Sequence, residues 1–215
     1  MENTIGLRER KKQRTRETIF EAASRLFAER GFESVTVADV ARDADVSEMT
    51  VFNYFRTKED LFFGGMEFFE ERLLSAVRDR APDASIVGAF SAPVVAGFTR
   101  LVAEENAAVI AQAAALIDAS PALQMREREI VAGYTARLAD VLAGQTGRRP
   151  GDVESVGVAS ALMGVHRALV AFVRRSVLAG RIGPGLASSA RSQARRAFAR
   201  LEHGLADYAR EGGST

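Results

Sequence analysis

The 215-residue chain has no cysteine, two histidines and only three lysines. Without a thiol it can form neither disulfides nor thiolate metal sites, and its behaviour does not depend on the redox state of its compartment. The histidines, His166 and His203, fall on different predicted helices, which argues against a histidine-rich metal site. No phosphate-cradling glycine loop follows a strand, and no serine sits in a nucleophile-elbow setting. Acidic pairs such as Glu70–Glu71 and Glu104–Glu105 read as solvated faces. These absences point away from an enzyme, and no catalytic residue, metal or cofactor is expected. No uninterrupted apolar run reaches the ~20 residues needed to cross a bilayer, and the polar, charged start lacks a signal-peptide pattern. The expected compartment is the cytoplasm, with no membrane partner. No alternation of strand type stands out, so an all-α chain is expected.

Helical grammar is plentiful. Ile19, Ala22, Ala23, Leu26 and Phe27 recur at three- and four-residue spacing and define one apolar helical face. Gly31 follows as a helix-terminating glycine. Thr36 stands three residues before Asp39, a short-acid capping box, and opens a helix that buries Val37, Val40 and Ala41. Asp45 occupies a turn. Ser47 then caps a second short helix, about Glu48–Phe55, in which Val51 and Phe55 share the inward face while Met49, Thr50 and Asn53 point outward. Thr57 caps the next helix, with Lys58 in its first turn. Two short helices joined by a tight turn form a helix-turn-helix, whose second helix enters the DNA major groove while the first crosses the backbone.

The stretch ETIFEAASRLFAERGFESVTVADVARDADVSEMTVFNYFRTKEDLF resembles the N-terminal domain of the TetR family of one-component bacterial repressors. The likeness spans roughly residues 12–63. It is carried by the A-x-x-L-F-x-x-x-G-F run, the T-V-x-x-V-A helix, the V-S-x-x-T start and the Y-F-x-x-K-E-x-L exit. Two departures stand out. Asp45 replaces the usual turn glycine, and aspartate tolerates a left-handed backbone better than most residues. Phe52 replaces a tyrosine that often donates to phosphate, leaving an apolar contact there. The resemblance implies phosphate contacts by Tyr54 and Lys58. Thr36 and Ser47, at helix N-termini, suit phosphate oxygens. Met49 and Thr50 can place methyls against thymine, and Asn53 can pair with an adenine edge. The plainer alternative is that Met49 is simply exposed and Asn53 caps or solvates its helix.

Charge adds a local feature. Residues 1–58 carry eleven basic and ten acidic side chains, but RERKKQRTR at 8–16 has six basic groups and one acid. Such an arm fits a phosphate backbone and makes affinity salt-dependent, although a charge run is also what an ordinary solvated terminus looks like.

From Lys58 onward the periodicity predicts further helices: 58–80; 86–104, kinked at Pro93; 106–118; 120–144, with Pro121 at its first position; 153–179; and 186–210. A turn-rich GQTGRRPG linker lies at 144–151. About nine helices result. The expected division is a DNA-binding domain at 1–57 and a ligand-binding and dimerisation domain at 58–215. The runs LIDASPALQMREREIVAGYTARLADVLA and ASALMGVHRALVAFVRRSVLAG resemble one recurring C-terminal subtype of the family. That resemblance implies a homodimer through the last two helices. A stripe of Leu186, Ala190, Ala194, Ala197, Leu201, Leu205 and Tyr208 offers such a face, as do the small residues Gly157, Ser160, Ala161 and Gly164. The same stripe fits the subunit's own core equally well. The resemblance also implies a small apolar effector in a cavity, for which Met66, Phe69, Phe90, Phe98, Met125, Met163 and His166 are the candidate walls. Most Phe and Met residues at helical spacing are ordinary core. The expected function is a ligand-responsive repressor bound to a palindromic operator. The alternatives are a ligand-independent DNA-binding protein or activator, and a helical enzyme or carrier with a vestigial DNA-binding half.

Overall fold

The computed structural model describes residues 6–101 and 106–205. Glu104, Glu105 and Tyr208, and the side chains of Phe68 and Leu205, lie outside the described set. Among the described residues there are ten α-helices and no strand. They are α1 Leu7–Arg30, α2 Val37–Asp43, α3 Glu48–Tyr54, α4 Lys58–Phe62, α5 Met66–Arg78, α6 Ile86–Leu101, α7 Ala107–Ala119, α8 Pro121–Gln145, α9 Val153–Leu178 and α10 Pro184–Leu205.

The chain divides into two compact units. The first contains residues 1–66 together with 116–127, and the second contains 67–115 and 128–215. The expected cut after residue 57 therefore falls one short helix early, and it misses the α7–α8 corner that belongs to the first unit. One predicted helix, 58–80, is two. It breaks at 63–65 because a Cβ on Gly64 would lie 2.8 Å from the Phe55 ring and 2.9 Å from Phe20. Glycine is also a poor helix former, and here two follow each other.

In the first unit, the apolar face of α1 (Ile19, Ala22, Ala23, Leu26 and Phe27) is fully buried with Val40, Val51, Phe55 and Leu61. Burying the larger of these side chains stabilises the unit by about 1.5–3 kcal/mol each. Phe27 lies 5.1 Å from Phe32 and 6.1 Å from Phe62, ring centre to ring centre. The chain leaves α1 through Gly31, whose φ of +81° is open to glycine. Arg25 pairs with Asp43, tying α1 to the end of α2.

In the second unit, α6 packs chiefly on α10, and α9 packs on both. Phe90 meets Phe198 at 6.0 Å. Leu186, Ala190 and Ala194 are buried here within a single subunit, so this part of the α10 stripe serves the subunit's own core. By contrast, Gly157, Ser160 and Gly164 on α9 are exposed. Asp152 caps α9 by accepting from the Ser155 N–H at 3.0 Å. By length and composition α9 could cross a bilayer, a property that the criterion of an uninterrupted apolar run does not detect. Its buried side, including His166, nevertheless forms part of this unit's core.

Candidate nucleic-acid interface and effector cavity

The bend between α2 and α3 is built from backbone chemistry. Val46 N–H donates to Ala41 C=O at 2.9 Å and Asp45 N–H to Arg42 C=O at 3.3 Å. Asp45 lies between these bonds with φ of +52°, the one positive-φ non-glycine among the described residues. This is a Schellman ending in which aspartate occupies the left-handed position that glycine usually takes.

Both helices of the pair are capped. The Thr36 hydroxyl accepts from the Asp39 N–H at 3.1 Å and donates to its carboxylate at 2.6 Å, while Thr36 N–H donates to Asp39 Oδ2 at 3.0 Å. Arg42 adds an ion pair to Asp39 at 3.1 Å. The hydrogen bonds from Thr36 hold the Asp39 carboxyl below its ordinary value, with Arg42 as a lesser cause. At α3, Ser47 Oγ accepts from Thr50 N–H at 3.1 Å, and the two hydroxyl oxygens lie 2.8 Å apart.

Val51 and Phe55 anchor α3 inward, at 1% and 3% exposure, while Met49 is 70% and Phe52 46% exposed. Asn53 is exposed with them, and Thr50 and Tyr54 are half-buried. The outward face of α3 therefore presents a thioether, a phenyl ring and an amide, which suit base edges and thymine methyls. Arg8, Arg10, Lys11, Lys12 and Arg14 are exposed along the first turns of α1, so the basic run is helical.

Three of the expected phosphate contacts, Thr36, Ser47 and Lys58, have intramolecular partners, Ser47 through Thr50. The hydroxyl and N–H of Thr36 both engage Asp39. Lys58 Nζ donates to the Phe32 carbonyl at 2.9 Å and lies 4.2 Å from the centre of the Phe32 ring. Sequence spacing does not reveal the Lys58 contacts, because its partners are 25 and 26 residues away.

The α7–α8 corner completes the first unit. Buried Ser120 donates to Glu33 Oε1 at 2.7 Å, and Arg126 pairs with Asp60 on α4 at 2.7 Å.

Within the second unit, Glu70, Leu73, Leu74, Phe90, Tyr134, Leu138 and Met163 close around a seam of about 10 Å³, room for little more than one water-sized group. Phe90 and Met163 are among the expected walls. Phe69 and Phe98 instead sit against the His166 ring, at 5.4 and 5.9 Å between centroids. Met66 and Met125 belong to the first unit, and Met125 is 57% exposed. Glu70 corrects the expectation of a solvated acidic face. It is buried in the seam wall and pairs with Arg137 of α8, a partner 67 residues away that no local pattern signals. A larger open groove of about 210 Å³ lies between α6 and α10, and none of the expected ligand residues lines it.

The first unit thus defines a helix-turn-helix protein with a capped, outward-facing second helix. Residues 19–64 match the family model of bacterial regulatory proteins, tetR family. The match lies within this N-terminal domain, which is similar to the DNA-binding domain of that family. It is 34% identical over 94 residues to the HTH-type transcriptional regulator TcmR of Streptomyces glaucescens, covering 42% of each chain. It is 28% identical over 128 residues to the fatty acid metabolism regulator protein of Bacillus subtilis (strain 168), covering 58% of this chain and 64% of that one. The chain covers less than two thirds of either relative. The fold is similar to that of a TetR-family regulator from Streptomyces coelicolor A3, with a TM-score of 0.59, 21% identity, and coverage of 91% of this chain and 96% of that one.

Proposed function

We propose that this chain is a homodimeric transcriptional repressor that binds a palindromic DNA operator and is released by a small, largely apolar effector. The supporting observation is the outward face of α3. Met49, Phe52 and Asn53 project from a short helix whose opposite side is locked into the core. Large apolar side chains on a rigid, exposed helix after a sharp bend have a clear use in a major groove.

Two copies read a palindrome when their α3 helices stand one DNA turn apart, about 34–36 Å. The exposed apolar and small residues of α9 (Val153, Gly157, Ser160 and Gly164) offer a close-approach surface for the second copy, together with the outward side of α10. The effector is assigned to the second unit, where α5, α6, α8 and α9 surround the seam. The name of the Bacillus relative, a fatty acid metabolism regulator, is in keeping with an apolar effector. Release follows only if the effector binds the DNA-free arrangement more tightly than the DNA-bound one. The working compartment is the cytoplasm, where the operator is.

The test is a mobility-shift titration of the purified chain on DNA flanking its own gene, against scrambled DNA of equal length. Specific, two-fold symmetric protection with a dimeric stoichiometry is expected. Equal affinity for both DNAs at every salt concentration would overturn the reading.

A further inference from the structure

We propose that the effector is a lipophilic cation, an apolar body bearing one positive charge, and that this charge takes the place of Arg137 at Glu70. The proposal rests on the ligand-responsive reading above and adds the chemical class of the ligand. Glu70 is 9% exposed and supplies the one carboxylate in the seam wall; the other lining residues, Tyr134 apart, are aliphatic, thioether or phenyl side chains. A carboxylate in such surroundings requires a countercharge, because an unpaired buried ion is strongly unfavourable.

The countercharge in this structure comes from outside the seam. Arg137 has a side chain 54% exposed, extends across the Tyr134 ring at 5.3 Å and binds Glu70 through Nε. A seam with room for only one small group admits a ligand by rearrangement. The half-exposed arginine, just outside the seam, has solvent to move into, and Met163 is a pliable element of the wall itself. Once Arg137 leaves, the three ligand classes separate. A neutral ligand strands Glu70 without a partner, and a carboxylate adds a like charge beside it. A cation restores neutrality beside Glu70, and the aromatic residues Phe90 and Tyr134 are among the seam's lining.

The probes are decyltrimethylammonium, decanol and decanoate, each below its micellar concentration. They are titrated into the full chain by calorimetry and thermal unfolding. The cation is expected to bind at least about tenfold more tightly than the other two, the ratio expected when one ligand class alone satisfies a buried charge, and Glu70→Gln to abolish that preference. Arg137→Gln, which removes the competing guanidinium, should enlarge the rise in melting temperature that the cation produces. Equal or tighter binding of decanol or decanoate, an undiminished cation preference in Glu70→Gln, or no binding by any probe overturns the proposal. Should Glu70→Gln fail to fold, Arg137→Gln decides alone, and an unchanged or smaller rise counts against it. Operator affinity is measured in parallel without probe. Intact operator binding with failed cation binding removes only the ligand class, whereas lost operator specificity removes the regulator reading.

Discussion

Arg126 donates through Nε to Asp60 Oδ1 at 2.8 Å, joining the start of α8 to α4 across 66 residues of sequence. The pair is partly screened, with side chains 35% and 18% exposed. A double-mutant cycle of Arg126→Ala and Asp60→Asn should therefore give a coupling energy of up to about 1 kcal/mol. Chemical denaturation of the four proteins measures it, and strictly additive effects would show that the pair contributes nothing.

Asp45 holds a left-handed backbone without being glycine. Asp45→Gly should stabilise the chain by about 1 kcal/mol, since the steric cost of a Cβ in that region disappears. Asp45→Val should destabilise it, because a β-branched side chain is a poor fit there. Denaturant midpoints for both variants check this; a destabilised glycine variant would mean that the aspartate contributes more than its backbone conformation.

The turn is legible in the sequence because its cause is local: a capping box, an aspartate and a second cap lie within a dozen residues. The break after Phe62 is not. The apolar periodicity on either side of Gly64 reads as one helix, and the reason for the interruption lies in Phe20 and Phe55, which belong to other parts of the first unit. The same limit hides the α7–α8 corner, since Ser120 and Glu33 are 87 residues apart. It also hides Glu70, whose neighbours on α6, α8 and α9 turn an apparently solvated acid into a buried one.

Gly64 gives that difference a measurable form. Aromatic carbons stand 2.8 and 2.9 Å from where its Cβ would be, whereas a Cβ on Gly65 meets its nearest neighbour at 3.7 Å. Gly64→Ala should cost about 1–3 kcal/mol through overpacking. Gly65→Ala should be accommodated without a clash. Thermal unfolding of the two variants side by side tests the claim, and equal losses would contradict it.

The lowered carboxyl of Asp39 sets the direction of an acid dependence. Its ordinary value is 3.8 and the folded value lies below it. The contribution is complete above the ordinary value and is lost as pH falls through the folded one. Asp152, lowered chiefly by the Ser155 N–H, acts in the same direction. Asp39→Asn should therefore lose stability near neutral pH and show a shallower decline on acidification than the parent. Urea midpoints recorded from neutral pH down past the ordinary aspartate value supply the comparison, and parallel curves would exclude the capping box as a source of the dependence.

The division of labour between base reading and phosphate binding separates by two different readouts. Thr50 is half-buried with its hydroxyl beside Ser47, so its removal should weaken operator and scrambled DNA alike. Met49, far more exposed and carrying a terminal methyl, should behave differently. Met49→Ala is expected to cost about 1–3 kcal/mol on the operator and little on scrambled DNA. The exposed lysines of the first turns of α1 belong to the electrostatic class. Lys11→Ala with Lys12→Ala should lower affinity for every sequence. The slope of log affinity against log salt should become shallower by about one unit per phosphate that the variant no longer neutralises. A Met49 variant that weakens both DNAs equally would assign that side chain to the backbone. A double-lysine variant with an unchanged salt slope would leave the basic run as solvated surface.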